Sequence, residues 1–150
     1  PLYSSAASDV YKRQALRYGG YDDIVLNKLD ALSPHGEWKG GDLLVCTGYR
    51  DAAGQTVMGV PRNDAVRRAL KPIYATLPGW KSDISSIRSF AQLPPEARRY
   101  VAFTMAEIVR LASRGGPLPY LPNLRYIGVG PDPDQIISDV PATAELIKLA

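Results

Sequence analysis

The aliphatic run Ile24-Val25-Leu26 breaks off at Asn27-Lys28-Leu29-Asp30, and this junction constrains the chain more than any other stretch. A short β-branched and aliphatic run bounded by polar residues reads as a buried strand. Open α/β sheets bind ligands outside the carboxyl ends of their strands. The tetrapeptide therefore falls where a binding loop belongs.

Its spelling, N-K-x-D, is that of guanine-reading loops, and the chemistry explains the choice of residues. Guanine presents two adjacent donors, the N1 hydrogen and the N2 amino group, and an ionised carboxylate is an acceptor-only fork that can take both. Asp30 suits that role. Lys28 can lay its stem along the face of the base while its ammonium stays wet, and Asn27 can tie neighbouring loops through its amide. The same residues also suit an ordinary turn, since Asn and Asp are common there.

Composition narrows the remaining classes. The chain has 150 residues, a formal charge of +3, 45% hydrophobic and 22% charged residues, which is one domain or a piece of a larger one with enough apolar content for a core. Arg67-Arg68, Arg98-Arg99, Arg110 and Arg114 are scattered, with no basic stripe or interleaved aromatics, so nucleic acid is not an expected partner. The single cysteine, Cys46, lies in an apolar run and reads as a small core residue. No internal disulfide can form, which fits a reducing cytoplasm. No stretch reaches the roughly eighteen apolar residues of a membrane span. His35, the only histidine, has no Cys, Asp or Glu at ligand spacing and reads as a surface residue.

Along the chain, residues 1–14 have small and polar composition with no clean periodicity, and read as a non-native leader. A strand is expected over 21–26, a loop over Ser33 to Gly41, and strands over 43–47 and 55–60 joined as a hairpin by the Asp51-Ala52-Ala53-Gly54 turn. Asn63 or Asp64 can cap a helix through Val66 and Leu70 that Pro72 ends. Tyr74 to Trp80 reads as a turn-bearing segment with Trp80 as a packing anchor, and Ile84, Ile87 and Phe90 as a short helix or turn against the core. The strongest helix starts at Pro94-Pro95, carries Glu96 in its first turn, buries Ala97, Val101, Met105, Ile108 and Leu111, and stops at Gly115-Gly116. Leu124 to Val129 reads as a late strand running into Gly130-Pro131.

NKLD, VCTGYR, YATLPGWKSDISSIRSF, LPPEARRYV and YIGVGPDPDQII stand in an order that resembles the C-terminal part of the adenylosuccinate synthetases. The resemblance runs from about Ala15 to Ile137 and implies an α/β fold, the C-terminal portion of a larger P-loop-related mixed sheet flanked by helices, with residues 15–150 belonging to the synthetase domain. It implies a GTP-dependent ligase joining IMP to L-aspartate, cytoplasmic, homodimeric when intact, and using Mg2+ whose ligands lie upstream. It places guanine on Lys28, Leu29 and Asp30 and on the loop Gly128, Val129, Gly130 and Pro131. Small residues make sense in that loop because backbone must approach the base closely. Two departures stand out: the family usually has Thr where this chain has Asn27, and often Ser at Gly128. The loop from Ser33 to Gly41 also resembles an insertion.

The family's phosphate loop, its catalytic aspartate and histidine and its arginine loop have no match here, so no catalytic or metal-binding residue is assigned and the chain alone is expected to be inactive. Two alternatives remain open. One is a phage-type relative acting on a guanine nucleotide to give a 2-aminoadenine precursor. The other is a non-catalytic guanine-nucleotide-binding domain, which the missing G-x-x-x-x-G-K-S/T loop disfavours.

Overall fold

The computed structural model describes residues 16, 19, 21–57, 64–113, 116–118 and 120–150. The segment read as a leader lies outside them, as do Asn63 and Gly115. Two three-stranded sheets form. In the first, β1 (Asp23–Leu26) runs parallel to β5 (Asn123–Gly128), and β6 (Ile136–Ile137) returns antiparallel to β5. The second is antiparallel, with β2 (Leu43–Arg50) between β3 (Thr56–Val57) and β4 (Lys71–Leu77). The α-helices described in full are α1 (Asp64–Ala69), α2 (Pro95–Ala112) and the short α3 (Thr143–Leu146). The α/β class with a mixed sheet and flanking helices is as expected.

The long helix α2 is the hub of the core. Ala97, Val101, Met105, Ile108 and Leu111 recur every three or four residues and are all buried, against Trp80, Ile84, Phe90, Leu93, Ile127, Ile137 and others. Fully burying a Val, Ile or Met side chain contributes about 1.5 to 3 kcal/mol, so this stripe anchors the fold. Pro95 opens the helix where a missing N–H costs nothing. The helix ends at Ala112 with Ser113 as its C-cap, before the glycines expected to stop it.

Two sequence expectations need correction. The run Ile24 to Leu26 is not a buried strand: β1 is the edge of its sheet, one face is covered and the other is open, so Ile24 and Leu26 are half-buried while Val25 is 50% exposed beside an exposed Tyr126. The segment read as a turn from Tyr74 is β4, with Ile73, Ala75 and Leu77 turned inward and seven residues aligned with β2. The helix α1 ends at Ala69, short of Pro72 as expected, and Pro72 itself lies in β4. It is tolerated because β4 is an edge and an edge position need not donate a ladder hydrogen bond. The third strand is described over Thr56–Val57, and the rest of its expected span, 58–60, lies outside the described residues. Its hairpin turn is as read: the Asp51 carboxylate accepts from Gln55 N–H at 2.8 Å and Gly54 supplies φ +78°.

The loop from Ser33 to Gly41 is part of the packed structure. His35 and Trp38 exchange backbone hydrogen bonds of 2.9 Å, and Gly79 abuts Gly41 so closely that an added Cβ would overlap the Gly41 carbonyl. Trp80 is the anchor its size foretold, 2% exposed, and its Nε1–H donates to the Oγ of Ser33 at 2.8 Å. Ser33 is itself buried. Ser33→Ala therefore leaves a buried indole N–H without an acceptor, a loss of about 1 to 3 kcal/mol. Urea denaturation of the two proteins checks this, with a lower midpoint and unchanged slope expected for the variant.

Candidate functional site

Because β1 and β5 are parallel, their carboxyl ends open on the same side of the sheet, and the segments leaving them converge. Asn27, Lys28, Asp30 and Ala31 from one exit and Gly128, Gly130, Pro131 and Asp132 from the other line a cleft of about 530 Å³, with Ile136 of β6 closing it. That volume is in the range of small-ligand pockets.

The first exit turns sharply. Lys28 has φ 61° and ψ 40°, a left-handed conformation and the only one among the described non-glycine residues. Such a residue costs on the order of 1 kcal/mol and persists where its surroundings over-determine it. The surroundings here are the 3-10 turn Leu29–Leu32, whose Leu29 is 1% exposed and plugs the core, and the bonds Ala31 N–H to Lys28 carbonyl (3.2 Å) and Ser33 N–H to Asp30 carbonyl (2.9 Å). With Leu29 pinned inward, its neighbours Lys28 and Asp30 are left to the cleft. Asp30 Oδ1 is buried and has no hydrogen-bond partner. A buried unpaired carboxylate oxygen is costly, and its pairing by a ligand donor would remove that cost.

The second exit makes the opposite wall. Val129 is fully buried and, like Leu29, anchors rather than lines the cleft. A Cβ at Gly128 would lie 3.4 Å from Asn27 Oδ1 and 3.5 Å from Lys28 N, ordinary contact distances, so the two exits pack side by side and a small side chain at 128 would fit. Gly130 is tighter: a Cβ there would run into the Gln135 side chain. Of the seven residues assigned to guanine from the sequence, Lys28, Asp30, Gly128, Gly130 and Pro131 meet in the cleft, while Leu29 and Val129 lie behind it. Sequence reasoning missed Ala31, Asp132, Ile136 and the buttress Gln135. The alternation of Pro and Asp over 131–134 was the available signal, since it marks a tight turn.

Elsewhere the described residues offer little chemistry. His35 is exposed, with Nδ1 2.8 Å from the Ser33 carbonyl. Cys46 is half-buried and its thiol points to the Gly48 carbonyl at 3.3 Å. No three His, Cys, Asp or Glu side chains gather as metal ligands among the described residues.

Fold and cleft together define an α/β module with a cleft outside the carboxyl ends of two parallel strands, where such sheets commonly bind ligands. The family model of adenylosuccinate synthetase matches residues 8–137, a span that begins within the segment read as a leader. The chain is 40% identical over 125 residues to an adenylosuccinate synthetase of Acidothermus cellulolyticus, covering 83% of this chain and 25% of that one. It is 38% identical over 127 residues to a chloroplastic adenylosuccinate synthetase of Populus trichocarpa, covering 82% and 22%. In structure it resembles a fully ligated adenylosuccinate synthetase of Plasmodium falciparum, with TM-score 0.59, 28% identity, and 78% and 24% of the two chains covered. The chain belongs to the adenylosuccinate synthetase family and spans about a quarter of the length of these relatives.

Asp139, just beyond β6, ties that end of the sheet to the segment leading into α2. Its carboxylate accepts from Ser89 Oγ at 2.6 Å and from Phe90 N–H at 2.9 Å, and these bonds, the serine's first, hold its pKa below the ordinary 3.8. A carboxyl depressed in the folded state adds stability above its unfolded pKa and loses it as pH falls through the folded value. Asp139→Ala should therefore be less stable than the parent at neutral pH, with the gap narrowing below pH 3.8. Thermal melts across pH 2 to 7 would show it.

Proposed function

We propose that residues 15–150 form the guanine-reading, C-terminal part of a ligase that joins IMP to L-aspartate at the expense of GTP, on the route to AMP. The observation that carries this reading is the buried, unpartnered Oδ1 of Asp30 in a cleft of about 530 Å³ at the strand exits. Guanine supplies the pair of donors that such a carboxylate lacks. Lys28 offers an aliphatic stem for one face of the base. On the far wall Gly130 brings backbone with no side chain to the cleft, where it can approach the O6 edge closely. Leu29 and Val129 act indirectly, as the buried plugs that fix the two exits.

In this reading GTP is a co-substrate, and Mg2+, when bound, neutralises its phosphates. In the same reading this chain's share is recognition of the base, and the transfer of the phosphoryl group falls to other parts of the ligase. Homodimeric assembly and a cytoplasmic location belong to the same proposal, as the family resemblance implies. No described helix is long and apolar enough to cross a membrane.

Two experiments test the reading. The purified 150-residue chain, supplied with IMP, L-aspartate, GTP and Mg2+, should form no adenylosuccinate, because no phosphate loop of the G-x-x-x-x-G-K-S/T type occurs in it. Measurable turnover would contradict the assignment of chemistry to other parts of the ligase.

The sharper test is Asp30→Asn in the ligase that carries these residues. An amide offers one acceptor where the carboxylate offered two and aims a donor at the other position. Loss of a hydrogen bond to a charged group costs about 1.5 to 3 kcal/mol, roughly ten- to two-hundredfold in affinity. Xanthine carries a carbonyl oxygen in place of the N2 amino group and can accept from the new amide. The ratio of kcat/KM for GTP to that for xanthosine triphosphate should fall and invert. An equal loss for both nucleotides, or none, would remove Asp30 as the base reader.

A further inference from the structure

The β5–β6 connection supplies one wall of the cleft, and it is organised by a side chain that does not line it. Gly130, Pro131 and Asp132 face the cleft. Behind them, Gln135 N–H donates to the Asp132 carbonyl at 3.0 Å and the Gln135 carbonyl accepts from Val129 N–H at 2.9 Å, which closes the turn at the level of the backbone. The carboxamide then makes a second set of bonds. Its Oε1 accepts from Asp132 N–H at 2.9 Å, and its Nε2 donates to the Ser85 carbonyl at 3.4 Å. Asp132 thus commits both of its backbone groups to one residue.

Two further features make this carboxamide the keystone of the wall. Pro131 and Pro133 have no N–H, so few donors in the turn can be used to fix its shape. The carboxamide also occupies the space beside Gly130, which is why a Cβ there has no room. A side chain at 130 would have to displace the Gln135 carboxamide, whereas the backbone there is not left-handed, since Gly130 is absent from the positive-φ residues. Ser85 extends the brace: its carbonyl also accepts from Arg88 at 2.6 Å, and Arg88 pairs with Asp134 at 3.4 Å across the same turn.

We infer that Gln135 is a positioning residue for nucleotide selection: acting through Gly130 and Asp132, its carboxamide sets the spacing between the β5–β6 wall and Asp30 so that a purine base is gripped on both edges. The inference rests on the guanine reading proposed above and extends it to a residue outside the cleft. Without the carboxamide, Asp132 N–H loses its acceptor and Gly130 loses the surface it packs on. The wall then loosens while Asp30 and Lys28, held from the other strand exit, stay in place.

The test uses the whole ligase carrying these residues. Gln135→Met keeps the length of the side chain and removes both polar atoms, whereas Gln135→Glu keeps an acceptor for Asp132 N–H. Gln135→Met should raise KM for GTP about three- to tenfold, the effect of losing one hydrogen bond of ordinary strength. kcat and the KM values for IMP and L-aspartate should stay within about twofold, and Gln135→Glu should recover most of the loss. GTP and inosine triphosphate should suffer alike in Gln135→Met, because the N2 group that distinguishes them is read by Asp30. The inference is overturned if KM for GTP is unmoved while Tm falls, if all three substrates lose equally, or if Gln135→Glu is no better than Gln135→Met. Asp30→Asn separates the two levels. If it leaves the preference between GTP and xanthosine triphosphate unchanged, the guanine reading and this inference fall together. If it inverts the preference while Gln135→Met leaves KM for GTP unmoved, only the role of Gln135 falls.

Discussion

The cleft exists because β1 pairs in parallel with β5. That ladder, Asp23 opposite Asn123 through Leu26 opposite Ile127, joins the first described strand to the fifth and sets two exits side by side. Everything from β2 to α2 lies between them in sequence. Parallel neighbours require such a crossover, and closing it costs chain entropy that grows only slowly with length. The offsetting contribution is the core under the sheet, where Leu29, Ile127, Val129 and Ile137 are packed at 1% exposure or less against the α2 side of the structure. The plugs and the cleft are consequently one device. Burying Leu29 and Val129 is what directs Lys28, Asp30, Gly128 and Gly130 to the opening.

Two local costs coincide at that opening. Lys28 carries a left-handed backbone, and Asp30 keeps a buried carboxylate oxygen with no partner. Sequences that specify a fold are generally consistent across levels, and violations collect at functional sites. A ligand with two adjacent donors relieves the second cost and gives the first a purpose, because the left-handed turn is how the chain leaves β1 without burying Lys28. The proposed guanine is such a ligand.

What was legible in the sequence follows from how local each signal is. Helix α2 could be read because its apolar residues repeat at the helical period over a long span. The Asp51 hairpin could be read because its turn chemistry is confined to a few residues, and the N-K-L-D junction because a strand exit and its side chains are contiguous. Strand β4 was hidden by its own punctuation. Pro72 lies inside it and Pro78-Gly79 follow it, and in an edge strand those breakers lose their force, so the inward alternation of Ile73, Ala75 and Leu77 was outweighed. Strand β6 has two residues and no periodicity to detect. The Pro and Asp alternation over 131–134 marked a turn before Gln135, but not that its carboxamide reaches Ser85 in a distant turn. The exposure of Val25 was invisible for another reason: burial depends on what covers a sheet face, and three aliphatic residues cannot specify that.

The most direct test of guanine recognition at this cleft is a crystal structure of the ligase carrying these residues with GTP bound. The guanine should lie between Lys28 and the β5–β6 wall, with N1 and N2 each about 3 Å from the Asp30 carboxylate. A base bound elsewhere, with Asp30 Oδ1 still unpaired, would contradict it.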